Sequence, residues 1–165
     1  MLAPLEYELY YIVKDFNVWK KEKIEGIYKS HIIPKIGIID VLPIIAVNDY
    51  NLLLLEKVGE SWQDKLADLN SEFSVDFDFS FDTDSQGYAH IISVNSDAEK
   101  NLQWITDFPR SDFREIIIDS TQGKFSEIYN PKITISKNDK AGIIFEGKSL
   151  DDDKYYIYYL EKELY

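Results

Sequence analysis

The chain has 165 residues and a formal net charge of −12, with 45% hydrophobic residues, 15% aromatic residues and no cysteine. This apolar content excludes a disordered chain, and the lack of cysteine excludes disulfides, thiolate nucleophiles and cysteine-ligated zinc sites. The excess of acidic groups repels nucleic acid and anionic membranes, because both carry dense negative charge, and it attracts basic proteins.

No linker, low-complexity block or internal repeat divides the sequence, which predicts a single globular domain over residues 1–165. Residues 1–60 carry 7 lysines and 9 acids, a net charge of −2, whereas residues 61–165 carry 11 basic and 21 acidic residues, a net charge of −10. Residues 1–11 lack the basic and apolar regions of a secretory signal, and the apolar segment 32–47 contains two prolines and two charges. We therefore expect a cytoplasmic protein without a membrane span.

In the first half of the chain, the sequence pattern predicts a mixture of short strands and helices. Residues 5–25 fit both helical spacing and alternation, and we expect a helix over 13–25 after a short strand. Two prolines break the next apolar run into extended pieces at 36–40 and 44–47. A turn follows, then residues 52–58 fit a strand or the start of a helix, and Ser61 can cap a helix over 62–70.

The second half is predicted to be mostly strands. Six segments show strand patterns, a helix beginning at Ser96 or Asp97 is expected to run to about Thr106, and residues 137–140 read as a turn. Because neighbouring strands are joined by short loops, we expect an α+β fold with a mostly antiparallel or mixed sheet and a few helices. The predicted strands are 73–81, 88–94, 115–119, 132–136, 141–146 and 155–160.

The segment Phe73–Phe81 alternates between apolar residues at odd positions and Ser or Asp at even positions, and Asp82 continues the polar set. Successive side chains of a strand point to opposite faces of the sheet. This strand is therefore predicted to bury one aromatic face in the core and to present a carboxylate face, with Asp76 and Asp78, to water or to a basic partner.

The hairpin loop after this strand offers a possible calcium site and a possible catalytic histidine. Asp82, Asp84, Gln86 and Gly87 imitate the front of a calcium-binding loop, but the twelfth position is Ser93 instead of the glutamate that closes such a site. A solvated hairpin loop is the preferred interpretation. His90 and His31 lie in no recognisable metal-ligand or nucleophile arrangement, so each is interpreted as a structural or surface histidine.

Further partner-binding candidates lie after the hairpin. Trp104, placed beside Asp107 in the predicted helix, is a plausible aromatic anchor. The run 155–159 contains four tyrosines, and it fits either a central strand packed on both sides or an edge at which tyrosines bind a partner. Asp151, Asp152 and Asp153 form a charged loop that can dock lysine or arginine. The predicted partner-binding residues are Asp76, Asp78, Asp82, Asp84, Trp104, Asp107, Asp151, Asp152, Asp153 and Tyr155.

In its small size, acidity, lack of cysteine and lack of an enzyme motif, the chain resembles the bacterial immunity proteins that neutralise contact-dependent or other polymorphic toxins. Its 16 lysines against 2 arginines fit an AT-rich bacterial gene. The resemblance is one of overall profile and carries over no individual residue. It implies a cytoplasmic, non-enzymatic antitoxin without a cofactor, which blocks the active or substrate-binding site of a cognate toxin, commonly a basic nuclease.

Two other functions remain open from the sequence. The first is a DNA mimic, whose carboxylates would be spaced like phosphates and would block a DNA-binding enzyme. The second is a small hydrolase that uses two carboxylates with His90 assisting, which requires a concave pocket.

Overall fold

The computed structural model describes residues 8–25, 34–39, 42–49, 51–66, 78–95, 100–109, 114–119 and 124–165. These residues form thirteen strands and no helix, so the α+β expectation is wrong and this part of the chain is all-β. It accordingly contains no helix long and apolar enough to cross a membrane. The strands are β1 Leu9–Asp15, β2 Val18–Ile24, β3 Lys35–Ile39, β4 Leu42–Asp49, β5 Asn51–Val58, β6 Ser61–Asp64, β7 Phe79–Thr83, β8 Ala89–Val94, β9 Leu102–Thr106, β10 Arg114–Ile118, β11 Phe125–Ile135, β12 Lys140–Ser149 and β13 Tyr155–Glu163.

The strands form four antiparallel meanders, each made from consecutive strands. We refer to them as the N-terminal hairpin (β1–β2), the second sheet (β3–β6), the central sheet (β7–β10) and the C-terminal sheet (β11–β13). Every strand pairing in the described residues joins neighbours in the sequence. Short turns between alternating apolar runs account for this connectivity, because antiparallel neighbours need only a tight turn.

The four meanders stack in the order of the sequence, with one apolar cluster between each adjacent pair. Side chains of β4 and β5 alternate between two clusters: Ile45 and Leu55 face the hairpin, whereas Ile44 and Leu54 face the central sheet. A third cluster lies between the central and C-terminal sheets. This third cluster contains Ile92, Val94, Leu102, Trp104, Phe125, Ile128, Ile133, Ala141, Ile143 and Phe145.

The central sheet is covered on both faces, and this explains one error of the sequence analysis. Every residue of β8 and β9 is buried. In β9 the buried polar residues Gln103 and Thr106 stand among apolar ones, so the strand shows neither a continuous apolar run nor a clean alternation that the sequence could reveal. The helix predicted up to Thr106 is wrong over Leu102–Thr106, and its predicted start at 96–99 lies outside the described residues.

Two other predicted helices are also strands. Residues 13–25 belong to the N-terminal hairpin, whose turn at Phe16 and Asn17 interrupts the expected helix. The segment predicted to be a helix over 62–70 begins as β6, and its residues 67–70 lie outside the described part of the chain. Within this segment, Asp64 accepts hydrogen bonds from the backbone amides of Leu54 and Leu66, both at 3.0 Å.

The strands predicted after the hairpin loop are confirmed, with bounds that shift by up to three residues, except that the strand predicted over 132–136 begins seven residues earlier. They correspond to β8, β10, β11, β12 and β13, and the turn at 137–140 joins β11 to β12. The alternation of 73–81 is confirmed where it is described: Phe79 and Phe81 pack into the cluster shared with the second sheet. Residues 73–77, including Asp76, lie outside the described residues.

The tip of the N-terminal hairpin holds a bulky residue in a conformation that suits asparagine or glycine. Phe16 has φ = 51°, whereas the other non-glycine residues described with positive φ are Asn130, Asp139 and Asp153. The left-handed region brings Cβ close to the backbone and costs about 1–2 kcal/mol for most L-residues.

We expect Phe16→Asn to raise the free energy of unfolding by about 1 kcal/mol, because asparagine tolerates this backbone conformation better. The ring itself is 94% exposed, so its removal loses little packing. Urea denaturation of Phe16→Asn beside Phe16→Ala separates the backbone effect from the loss of the ring. Equal stability of the two variants would show that the conformation is not strained.

Candidate functional site

The polar face of β7 lies against β11 and not against solvent. The side chains of Ser80 and Asp82 accept hydrogen bonds from the backbone amides of Ile133 and Ile135 at 3.3 and 2.7 Å. These bonds satisfy amides on the edge of the C-terminal sheet that no strand pairs in the described residues. Directly before β7, Asp78 forms an ion pair of 3.4 Å with Lys132 of β11, in which both side chains stay partly exposed. Ser80 and Asp82 of the predicted polar face are therefore bound to another strand of the molecule, whereas Asp78 remains partly exposed.

Asp84 is buried, and its carboxylate is surrounded by donors. Its Oδ1 accepts from the backbone amides of Gln86 and Tyr88, both at 2.9 Å. Its Oδ2 accepts from the Tyr165 hydroxyl and lies 2.9 Å from Nε2 of His90. The interpretation of this loop as a solvated one is wrong at Asp84, which instead holds the loop, β8 and the C-terminal residue together.

The donors around Asp84 keep its carboxylate ionised. Burial alone raises the pKa of Asp84, but the hydrogen bonds from His90 and Tyr165 outweigh it, and the pKa is lowered. Burial and the same carboxylate raise the pKa of the Tyr165 hydroxyl. Nδ1 of His90 is buried and has no hydrogen-bond partner among the described residues. His90 is only 4% exposed and its Nε2 faces Asp84, which fits a structural role, although the residue also borders a small cavity with Trp104 and Tyr165.

Trp104 is buried in the core, and Asp107 is partly buried near the edge of the core. Trp104 is only 4% exposed in β9, so its placement as an exposed anchor on a helix is wrong. Its ring meets His90 edge to face at a centroid distance of 5.3 Å. Asp107 accepts a 2.7 Å hydrogen bond from the Ala89 amide and pairs with Lys65 at 2.6 Å. No group of three or more histidine or acidic side chains in the described ranges is placed to hold a metal ion.

The remaining predicted residues lie together at the exposed turn between β12 and β13. Asp151, Asp152 and Asp153 are all exposed there. Asp153 pairs with Lys148 at 2.8 Å, and Asp152 accepts a hydrogen bond from a tyrosine of β13. Tyr155 begins β13 immediately after this turn, with its ring more than half exposed. These four residues are brought to the end of one surface, the outer face of the C-terminal sheet.

The outer face of the C-terminal sheet, as we define it, consists of the side chains of β11–β13 that point away from the central sheet. Alternation in β12 and β13 places Phe145 and Tyr158 inward, in the core cluster, and their neighbours outward. The register puts Tyr155, Ile157 and Tyr159 of β13 on this outer face, opposite Lys148, Glu146 and Ile144 of β12. The exposed apolar and aromatic members are Tyr129, Ile144, Tyr155, Ile157 and Tyr159.

The run 155–159 lies on an edge strand in the described structure, so the reading of it as a central strand packed on both sides is wrong. Ile157 is 78% exposed, which is unusual for a large aliphatic side chain on a regular strand. Exposed apolar patches on otherwise polar surfaces mark contact sites for other molecules. Tyrosine favours such sites because it combines a large contact area with a polar tip.

Acidic side chains surround this apolar patch. The pKa of Glu127 is lowered by hydrogen bonds from the Tyr129 and Tyr155 hydroxyls, so this carboxylate stays charged to lower pH. Tyr156 in turn lowers the pKa of Asp152. The outer face and its turn together carry seven carboxylates and four lysines: Glu127, Glu146, Asp151, Asp152, Asp153, Glu161 and Glu163 against Lys132, Lys140, Lys148 and Lys154.

The sequence analysis named Tyr155 and the turn acids and gave the run 155–159 as a possible edge, without separating its outward residues Ile157 and Tyr159, and it missed Tyr129 and Ile144. The available signal was alternation: Tyr155, Ile157 and Tyr159 occupy one face of β13, and the acids Glu161 and Glu163 continue that face. Tyr129 and Ile144 join them only through the register between strands, which the sequence does not state.

Searches for similar proteins add no family to this picture. No protein-family model matches the chain, and neither the search of curated proteins nor the search of solved structures gave a significant match.

Proposed function

We propose that the chain is a non-enzymatic binding protein that engages a basic protein through the outer face of the C-terminal sheet. The observation that carries this proposal is the exposed patch of three tyrosines and two isoleucines, set among seven carboxylates and four lysines. The apolar members supply contact area that can be desolvated, and the acidic surroundings select a basic partner.

The charge of the whole chain supports this choice of partner. A net charge of −12 accelerates the approach of a basic protein and repels nucleic acid and acidic proteins. The carboxylates of the outer face alternate with lysines and tyrosines, and this favours a protein surface over an array that imitates phosphates. The sequence profile adds the partner class: a bacterial toxin with a basic, nuclease-like surface, which the chain would neutralise by covering its active or substrate-binding site.

The outer face can be tested by charge reversal with a matched control. We expect Asp151→Lys/Glu161→Lys to weaken the complex with a basic partner by about ten-fold or more, because like charges then face each other. Glu25→Lys/Glu60→Lys makes the same change in net charge at exposed turns elsewhere and should leave the affinity within about two-fold. The measurement is capture from the native host by each tagged variant, followed by calorimetry on the partner recovered.

A specific partner is expected to stay bound at moderate salt and to be lost from Ile157→Asp, which places a charge at the centre of the patch. Co-expression then tests neutralisation: the captured protein should arrest growth alone and not together with the wild-type chain. If both double variants weaken capture equally, binding depends only on the net charge of the chain and not on the outer face. A captured protein that is harmless to cells would exclude the toxin-neutralising function.

A further inference from the structure

The central and C-terminal sheets pack face to face, and the two sides of this sandwich differ. On the side formed by β7 and β11, Ser80 and Asp82 seal the edge of β11 through its backbone amides. On the opposite side, β10 and β13 are the terminal strands of their sheets. An ion pair between Glu115 of β10 and Lys162 of β13 bridges this side. The described residues provide no strand partner for the outer edge of either β10 or β13.

Two cavities open between β10 and β13, and the Glu115–Lys162 pair forms part of the wall of the smaller one. The larger, of about 420 Å³, is lined by Ile117 and Ile118 of β10, by Tyr158 and Leu160 of β13, and by core aromatic rings beneath them. The smaller, of about 180 Å³, lies towards Leu164, where Trp104 and Phe108 contribute to its walls. Cavities of about 150 Å³ lined by apolar groups can hold a molecule the size of benzene.

We propose that this cleft accepts an extended segment of the partner protein, which adds a fourth strand to the C-terminal sheet beside β13. An unpaired edge supplies backbone donors and acceptors for such a strand, and pockets for alternate side chains supply its specificity. This inference rests on the proposed function, since the same basic partner would deliver the strand while its surface covers the outer face.

The spacing of the cavities defines the segment that fits. Leu160 and Leu164 line different cavities and are four residues apart, about 13 Å along an extended chain. A strand beside β13 therefore places its residues i and i+4 over the two cavities, on the same face. Residue i+2 meets the Glu115–Lys162 pair and must be polar. The segment that fits therefore has the sequence pattern apolar–any–polar–any–apolar. The chain's own net charge of −12 favours lysine or arginine at the ends of this segment.

A palindromic peptide tests this geometry in either chain direction. The probe is a fluorescein-labelled, amidated Lys-Thr-Leu-Thr-Ser-Thr-Leu-Thr-Lys, and its binding is followed by fluorescence anisotropy and by hydrogen exchange of the β13 amides. We expect saturable binding and slower exchange along β13. A peptide of the same composition with its leucines three positions apart points them to opposite faces and should bind about ten-fold more weakly or worse.

Variants of the protein locate the peptide and separate the two proposals. Leu160→Trp narrows the larger cavity and should reduce peptide affinity about ten-fold, with folding verified by circular dichroism. Ile157→Asp changes the outer face of the same strand and should bind the peptide normally while losing the protein partner. Equal binding of both peptides, or binding that Leu160→Trp leaves intact, overturns the strand-accepting cleft. So does self-association of the chain that Leu160→Trp abolishes, since the occupant would then be a second copy.

Discussion

Replacing Asp84 by alanine is expected to lower the free energy of unfolding by about 3–5 kcal/mol. The buried carboxylate accepts hydrogen bonds from two backbone amides, from Tyr165 and from His90. Removing one partner of a buried network leaves the others unsatisfied, which costs more than any single hydrogen bond contributes. Urea denaturation at pH 7 measures the difference.

Tyr165→Phe is the matched control, because it removes one donor to the same carboxylate and should cost only about 1 kcal/mol. The pH dependence gives a second check. The folded-state pKa of Asp84 lies below the ordinary value of 3.8, so its contribution is fully present above that pH and is lost as the pH falls through the folded value. A destabilisation by Asp84→Ala that is small, or that grows on acidification, would contradict the network.

Phe79→Ala is expected to lower the free energy of unfolding by about 3–5 kcal/mol. Phe79 is 0% exposed and packs in the cluster between the second and central sheets. Its loss removes the ring from the core and leaves a cavity that rigid β-layers on both sides cannot easily close. The measurement is chemical denaturation of the full chain monitored by tryptophan fluorescence.

Phe16→Ala makes the same chemical change at a residue that is 94% exposed, and we expect less than about 0.5 kcal/mol from it. The two substitutions remove the same side chain, so the difference between their effects on stability reports the difference in burial between Phe79 and Phe16. If Phe79→Ala were tolerated as well as Phe16→Ala, the aromatic face of β7 would not lie in the core, and the stacking of the two sheets would be wrong.

The alternation of β7 was predictable because a strand with one apolar face has a clear period of two. Phe79 and Phe81 accordingly face the core, as expected. What the pattern could not give was the destination of the polar face. Ser80 and Asp82 meet another strand edge more than fifty residues away, and nothing local distinguishes this from exposure to water.

The three helices that were predicted wrongly have three different physical causes. Trp104 belongs to a strand buried on both faces, whose apolar residues follow no single period. The turn of the N-terminal hairpin places Phe16, a residue type that is rare in turns, at a positive φ. It contains no glycine or proline, so the sequence carries no strong turn signal there. At Ser61, residues typical of a helix start instead begin a short edge strand held by Trp62, which donates to Glu22 of the hairpin.

Only some residues of the outer face of the C-terminal sheet could be identified from the sequence. Tyr155 and the acids of 151–153 are adjacent in the chain, and their exposure follows from their local composition. Tyr129 reaches Tyr155 only because β11 and β12 pair in a register that contains two irregularities. Such bulges depend on tertiary packing, so the full patch emerges only when the strands are placed side by side.

The meander connectivity has a consequence for how the chain reaches its native state. Because each sheet is a continuous stretch of sequence, its strand pairings close only short loops, and their entropic cost is small. Proteins rich in such local pairings fold faster than sandwiches of crossed-over strands. During synthesis each sheet can pair as soon as its own residues emerge, so the layers are completed in order from the N-terminal hairpin. The sheet that bears the proposed binding face is synthesised after the other three, and we expect it to dock onto layers that are already paired.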